Sequence, residues 1–344
     1  MTQRRTAGGK RRRPTMADVA RAAGVNASTV SRALDSRHPF SRSESADRIR
    51  RIAEEVGYTP DPSAASLRRQ STRTIGVLVP RLTDTVMAML YEEIAAACQE
   101  QGLFALVATT GDSLDAELAG GRLLLERRVD AMILTTARLD GPGMLLPLLA
   151  EQELPYALAM RTDGRGPAAL VDDRLGGYLA ARHLIDLGHT RLGLVAGPAY
   201  ASSARGREEG FRQALAEARL PVDDTLVRRS GFSMDSGEQI GAELLAQPHP
   251  PTAVCAVNDN TAIGVMAAAR RAGLRVPEDL SVVGFNDTPV ATRFPAPLTS
   301  VRVAFRELAR GAVSLVQQAI DGKPAQTLTY APTLIPRGST ARRP

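Results

Sequence analysis

The sequence predicts an all-α helix-turn-helix head followed by an α/β core of two doubly wound parallel-sheet lobes. Three observations predict it. Two short helical patterns joined by a glycine turn open the chain, basic charge is concentrated in the first fifth, and short apolar runs alternate with helical patterns through the rest. The chain has 344 residues, 44% hydrophobic and 23% charged, which is enough for two or three domains with real cores. No stretch approaches the roughly 18 apolar residues that a membrane span needs. The N-terminus is basic and lacks the apolar segment of a signal peptide, so a cytoplasmic location is expected. Cys98 and Cys255 lie 157 positions apart inside apolar segments, which excludes a disulfide framework and a cysteine-based metal site.

The net charge of +6 is unevenly spread. Residues 1–73 hold 16 basic and 7 acidic side chains, an excess of +9, while residues 74–344 carry −3. A basic module ahead of a near-neutral body is the electrostatic footprint of a nucleic-acid binder. Residues 1–13 have no apolar periodicity and read as a disordered basic tail. Without that tail, residues 14–73 keep an excess of +3.

Within residues 14–58 three helices are expected. Thr15 caps the first, with Asp18 three positions on in place of the usual Glu of a capping box. Met16, Val19, Ala20 and Ala23 form its apolar face, and Gly24 ends it as a residue free to take positive φ. Asn26 caps a second helix, Ala27 to Leu34, with Val30, Ala33 and Leu34 facing inward. A third helix from about Ser45 to Val56 carries Ile49, Ile52, Ala53 and Val56 on one stripe, and Gly57 closes it.

The first two helices make a helix-turn-helix, whose second helix reads the major groove with its N-terminal residues. Its outer face is Ala27, Ser28, Ser31 and Arg32. Arg32 can donate two hydrogen bonds to a guanine, and the small Ala27 and Ser28 allow close approach. Thr15, Asn26, Thr29 and Ser31 are placed for phosphates, which fix position rather than sequence. Each polar residue alone reads as a solvated helix face. It is the combination of two caps, the glycine turn and the basic surplus that points to DNA.

TMADVARAAGVNASTVSRAL (15–34) and RIAEEVGYTPDPSAASLRR (51–69) resemble the DNA-binding signature of the LacI family of bacterial transcription regulators. The resemblance runs over about residues 15–338. SRHPFSRSESADRI is one residue longer than the family's usual connection between the second and third helices. Residues 59–73 then read as a hinge and linker. Tyr58-Thr-Pro60-Asp-Pro62 breaks the third helix. Residues 63–69 have room for about two helical turns, too few to be stable alone. The resemblance implies that two such hinge helices, one from each half of a homodimer, meet in the minor groove. Leu67 matches the wedging leucine and Ala64 the small residue that lets the helix sit close. Ala65 stands where the family often has Arg.

Residues 74–338 read as the two-lobe body, and 339–344 as a tail. The strand-like runs are TIGVLVP (74–80), LFALVATT (103–110), AMILTT (131–136), YALAM (156–160), LGLVAG (192–197), AVCAVN (253–258) and SVVGF (281–285), with LTSVRV (298–303) as a further candidate. Continuous apolar runs, each followed by a helix, mark a parallel sheet buried on both faces. In such folds ligands bind beyond the C-terminal strand ends, here in a cleft between the lobes. Ser203 and Arg207 follow one strand, Asn258-Asp259-Asn260 another, and Asn286-Asp287 a third. An Asn or Asp in that place is also a common helix cap, and Asp259 and Asp287 read as structural caps.

HLIDLGHTRLGLVAG (183–197), residues 258–287 and PLTSVRV (297–303) resemble the family's core-domain signatures, so a type I periplasmic-binding-protein-like core is implied. By motif match Arg207, Asn258 and Asn286 take effector-contact positions, joined by Ser203, Phe232, Asn260 and Phe305. Arg207 would anchor a polar effector. The family commonly has Asp where Asn286 stands. An amide both donates and accepts while a carboxylate only accepts, which weakens a sugar-hydroxyl clamp there. Phe232 and Phe305 are the candidates for stacking on a ring. A sugar is what the resemblance implies as effector, with a nucleoside or another metabolite in competition.

No P-loop, G-x-G-x-x-G, G-x-S-x-G or H-E-x-x-H is present. His38, His183, His189 and His249 lack metal-ligand spacing, and His183 and His189 read as structural. The expectation is a regulator, with no catalytic residues, no cofactor, no metal and no membrane partner. It would bind a near-palindromic operator in double-stranded DNA as a homodimer, under control of a small molecule. A solute-binding protein would share the two lobes but not the basic head. A sugar enzyme would need a catalytic constellation that is missing.

Overall fold

The computed structural model describes residues 14–34, 43–59, 71–141, 143–324 and 326–343. The chain divides into two compact units, residues 1–72 and residues 73–344.

In the first unit the three expected helices are α1 (Met16–Ala23), α2 (Ala27–Ala33) and α3 (Glu44–Glu55). The backbone N–H and the hydroxyl of Thr15 both donate to Asp18 Oδ2, at 2.8 and 2.7 Å. Gly24 takes φ 67° and turns the chain into α2. α3 starts at Glu44, because Ser43 rather than a later residue supplies the capping oxygen to Ala46 N–H. Val19, Ala20, Ala23, Val30, Ala33, Ala46, Ile49 and Ala53 form the buried core. Five of the eight are alanine, so the three helices pack closely on little apolar volume.

The second unit holds two six-stranded sheets. β1 (Thr74–Val79), β2 (Phe104–Thr109), β3 (Ala131–Leu134), β4 (Tyr156–Ala159) and β5 (Ala168–Val171) belong to the first lobe. β6 (Leu192–Ala196), β7 (Val227–Arg229), β8 (Ala253–Ala256), β9 (Ser281–Asn286) and β10 (Thr299–Arg302) belong to the second. β11 (Thr327–Tyr330) then returns to the first sheet and β12 (Thr333–Ile335) to the second. The orders are β11-β5-β4-β3-β1-β2 and β12-β10-β9-β8-β6-β7. β12 runs antiparallel to β10, and the other pairings are parallel.

Every apolar run read as a strand is one. Three expectations need correction. β4 and β9 are not followed by α-helices: residues 160–167 lead directly into β5, and β9 reaches β10 through a 3-10 turn, Pro289–Thr292. The segment 339–344 is no tail over 339–343. Ser339 is buried, donates to Val282 O and accepts from Thr299 N–H. The rings of His183 and His189 hold Thr340 Oγ1 and Ala341 O, at 2.9 and 3.1 Å, so both histidines are structural as expected.

Asp259 and Asp287 are structural but not caps. Asp287 Oδ1 pairs with Arg337 and its Oδ2 with Arg302. Asp259, fully buried, accepts from Thr288 N–H (2.7 Å), Thr288 Oγ1 (2.9 Å) and Ser300 Oγ (2.6 Å), tying the end of β9 to β10. A Cβ on Gly284 would stand 2.4 Å from Asp259 Oδ1, so only glycine fits there. Burial pushes the Asp259 carboxyl up to about 6, against the pull of those three donors.

Replacing Asp259 by Ala strands three buried donors and is expected to cost about 3 kcal/mol or more of unfolding free energy in a urea titration. The pH dependence has a definite sign. The carboxyl binds its proton more tightly in the folded than in the unfolded chain, so its favourable contribution is present at low pH and is lost as pH rises through about 6. The stability deficit of Asp259→Asn against the parent should therefore narrow between about pH 4 and pH 6 and stay flat above. A deficit that widens over that range would contradict this.

Candidate functional site

The chain presents two surfaces with functional chemistry, one in each unit. On the head, Asn26, Ala27, Ser28 and Arg32 are exposed, while Thr15, Thr29 and Ser31 are half-buried. Asn26 Oδ1 accepts from Thr29 N–H at 2.9 Å and from the hydroxyls of Ser28 and Thr29, each at 2.7 Å. One carbonyl oxygen thus caps α2 and orients the two hydroxyls beside it. The exposed end of α2 is small side chains plus one guanidinium, a shape that can enter a groove and donate there. Ala64 and Leu67 lie outside the described residues.

In the body, a cavity of about 610 Å³ opens between the lobes at the C-terminal ends of the strands. Ser203, Arg207, Phe232, Asn258, Asn260 and Asn286 all line it. Phe305 does not, which corrects the expectation for that residue. It begins the helix Phe305–Ile320, which leaves the second lobe to pack on the first, and its ring is 6% exposed in the core with Val303 and Leu308.

Arg207 sits on the helix Ser202–Glu217, which lies against the helix Asp173–Asp186. A Cβ on Gly177 would meet Arg207 O at 2.1 Å, so glycine sets how near the two helices come. That approach lets Arg207 Nε donate to Asp173 Oδ1 at 2.8 Å, while Nη1 donates to Val257 O at 2.6 Å. The guanidinium also lies 3.6 Å over the Phe285 ring. Burial pushes the Asp173 carboxyl up to about 6 even though Arg207 pulls it down.

Asn258 caps the helix Asp259–Arg271: its Oδ1 accepts from Thr261 N–H at 2.8 Å, and its Nδ2 donates to Phe232 O at 3.0 Å. It therefore holds the loop that carries the Phe232 ring. Asn260 Nδ2 donates to Asp84 Oδ1 at 3.3 Å, a bond from the second lobe to the first. Asn286 stands at φ 100°, and its fully buried Oδ1 has no partner.

Sequence reasoning found the second lobe's half of the cavity and missed the first lobe's. Arg81, Asp84, Asp112 and Arg161 line that half, with Tyr200 added from the second lobe. The strand-end rule finds these too: they follow β1, β2, β4 and β6 within a few residues. Asp84 caps the helix Thr85–Glu100, and burial raises its carboxyl above the usual range. Arg161 pairs with Asp112 at 3.0 Å and lies 5.0 Å over the Phe232 ring. Arg138, paired with Asp140, lies 3.6 Å over Tyr200. Thr162 N–H donates to Ser202 Oγ and Leu139 N–H to Tyr200 O, both at 2.9 Å, so the lobes touch through backbone groups as well.

No helix among the described residues is long and apolar enough to cross a membrane. Residues 15–61 match the model of bacterial regulatory proteins of the lacI family, and residues 181–340 match that of a periplasmic binding protein-like domain. The HTH-type transcriptional regulator DegA of Bacillus subtilis (strain 168) is 32% identical over 95% of this chain and 98% of its own. A structure of the lac repressor dimer bound to operator and the anti-inducer ONPF is 26% identical, with a TM-score of 0.85 over 96% of this chain and 100% of that one. A complex of the transcriptional regulator CelR with cellobiose is 29% identical, with a TM-score of 0.74 over 95% of this chain and 100% of that one. The two sheets, the head and these likenesses agree: the chain belongs to the LacI family of bacterial DNA-binding transcriptional regulators.

Proposed function

We propose that the chain is a cytoplasmic homodimeric repressor of a near-palindromic operator, and that a sugar-type small molecule in the interlobe cavity sets its operator affinity. The observation that carries this reading is the convergence of polar residues from both lobes on one cavity. The cellobiose bound to the CelR relative supports a sugar. Phe104 on the edge strand β2 and Leu123 on the helix Leu114–Glu126 are 66% and 59% exposed, and such apolar positions on adjoining elements support a dimer face.

Control follows from differential contact. The bonds Asn260–Asp84 and Thr162–Ser202 exist only while the lobes keep this arrangement. A ligand that favours one arrangement over another shifts that equilibrium and, through it, the hinge and DNA. Couplings of this kind are typically about 1–3 kcal/mol.

The reading is tested by fluorescence anisotropy on DNA from beside the chain's own gene. The full chain should bind one site tightly, and a chain lacking residues 1–73 should not bind it. Binding by the truncated chain would overturn the assignment. Arg32→Ala should cost about 1–3 kcal/mol on the best site and relax preference at one base pair per half-site, measured against a panel of single-base variants. Uniform weakening on all sequences would make Arg32 a phosphate contact. Arg207→Ala should abolish the effector-induced rise in melting temperature and keep operator affinity. It also leaves Asp173 buried without its partner, at about 3–5 kcal/mol of stability. Adding Asp173→Asn should recover most of that loss without restoring the response.

A further inference from the structure

The cavity lining holds ionised side chains of both signs in equal number: Arg81, Arg161 and Arg207 against Asp84, Asp112 and Asp235. The two buried guanidiniums are already neutralised. Arg161 Nη1 stands 3.0 Å from Asp112 Oδ1, and Arg207 Nε stands 2.8 Å from Asp173 Oδ1. Each also covers a ring, Arg161 that of Phe232 and Arg207 that of Phe285. A buried cation paired at this distance offers little net field to a second anion. An incoming phosphate would share the cavity with the carboxylates of Asp84 and Asp112. The acceptors that the cavity lining offers in addition are the carboxylates of Asp84 and Asp112. They call for a hydroxyl or N–H, and a fully ionised phosphate or carboxylate group presents neither.

We propose that the cavity selects an uncharged, hydroxyl-rich ligand, a free sugar or glycoside rather than its phosphorylated form, and that the Asp112–Arg161 pair is what rejects the anion. This rests on the reading of the cavity as the effector site. In it, Asp112 acts as a counter-ion built into the wall: it occupies Arg161, which would otherwise receive a phosphate. The cavity then recognises hydroxyls through Asp84.

The test is isothermal titration of the full chain with matched pairs of probes. Each pair is one neutral compound and its phosphate: glucose and glucose 6-phosphate, ribose and ribose 5-phosphate, cellobiose and cellobiose 6-phosphate, adenosine and adenosine monophosphate. The expected result is that at least one neutral sugar binds and its phosphate binds about a hundredfold more weakly or not at all. A phosphorylated probe that binds as tightly as its neutral partner, or a preference for adenosine, overturns this proposal and leaves the cavity as the effector site. Absence of binding by every probe overturns both. Asp112→Asn should raise affinity for the phosphate of the bound sugar at least about tenfold while changing the neutral sugar less than about threefold. An unchanged ratio in a variant that still binds the neutral sugar removes Asp112 from the role. If that variant does not fold, the parent's discrimination between neutral sugar and phosphate decides the proposal.

Discussion

All strands of a parallel sheet end on the same edge, and the cavity depends on that constraint. The central strands are buried on both faces, so their sequences are dominated by Val, Leu, Ala and Ile. Polar side chains that face the cleft gather where a strand stops and a helix or loop begins. Two such edges facing one another across a cleft bring Asp84, Asp112 and Arg161 from one lobe against Arg207, Asn258 and Asn286 from the other. Residues that are more than a hundred positions apart meet because of topology, with no local motif joining them.

Two kinds of polar residue occupy that meeting place, and they divide the work. Asn258 is saturated: it caps a helix and holds the Phe232 loop. Asp259 is saturated as well, at the crossing of β9 and β10. These fix the walls. Asn286 is the opposite case, held at a left-handed φ with its carbonyl oxygen buried and unmatched. Backbone in that region is uncommon outside glycine and is tolerated where the surroundings over-determine it. Here Asp259 binds the neighbouring Thr288, and Ser300 Oγ receives Asp287 N–H at 3.0 Å.

How far the sequence could be read follows from what each element needs. α1 to α3 were legible because caps and glycine turns are local signals, and the buried strands because their apolar runs are continuous. β5, β7, β11 and β12 were not. Three of them, β7, β11 and β12, are edge strands, carry residues such as Arg228, Arg229 and Thr329, and give no run that stands out from a loop. β5, Ala-Ala-Leu-Val, is too small and short to separate from helix by pattern alone. Six of the seven effector candidates line the cavity. Phe305 did not, since the residue after a strand end serves either the cleft or the next helix, and only packing decides which. The first lobe's contributions also follow strand ends, but Asp112 and Arg161 gain meaning only as a pair, and nothing in the chain marks residues 49 apart as neighbours.

The order in which the chain visits its two sheets has a consequence for dissection. It passes from the first lobe to the second after β5, returns with the helix Phe305–Ile320, and crosses again between β11 and β12. Neither lobe is a contiguous stretch of sequence. No single cut releases one of them whole, and a fragment ending before residue 305 lacks both the edge strand and a covering helix of the first sheet. Synthesis from the N-terminus must therefore leave the first lobe incomplete until almost the entire polypeptide has been made. The two halves of the clamshell then mature together, so damage confined to the last forty residues is felt in both.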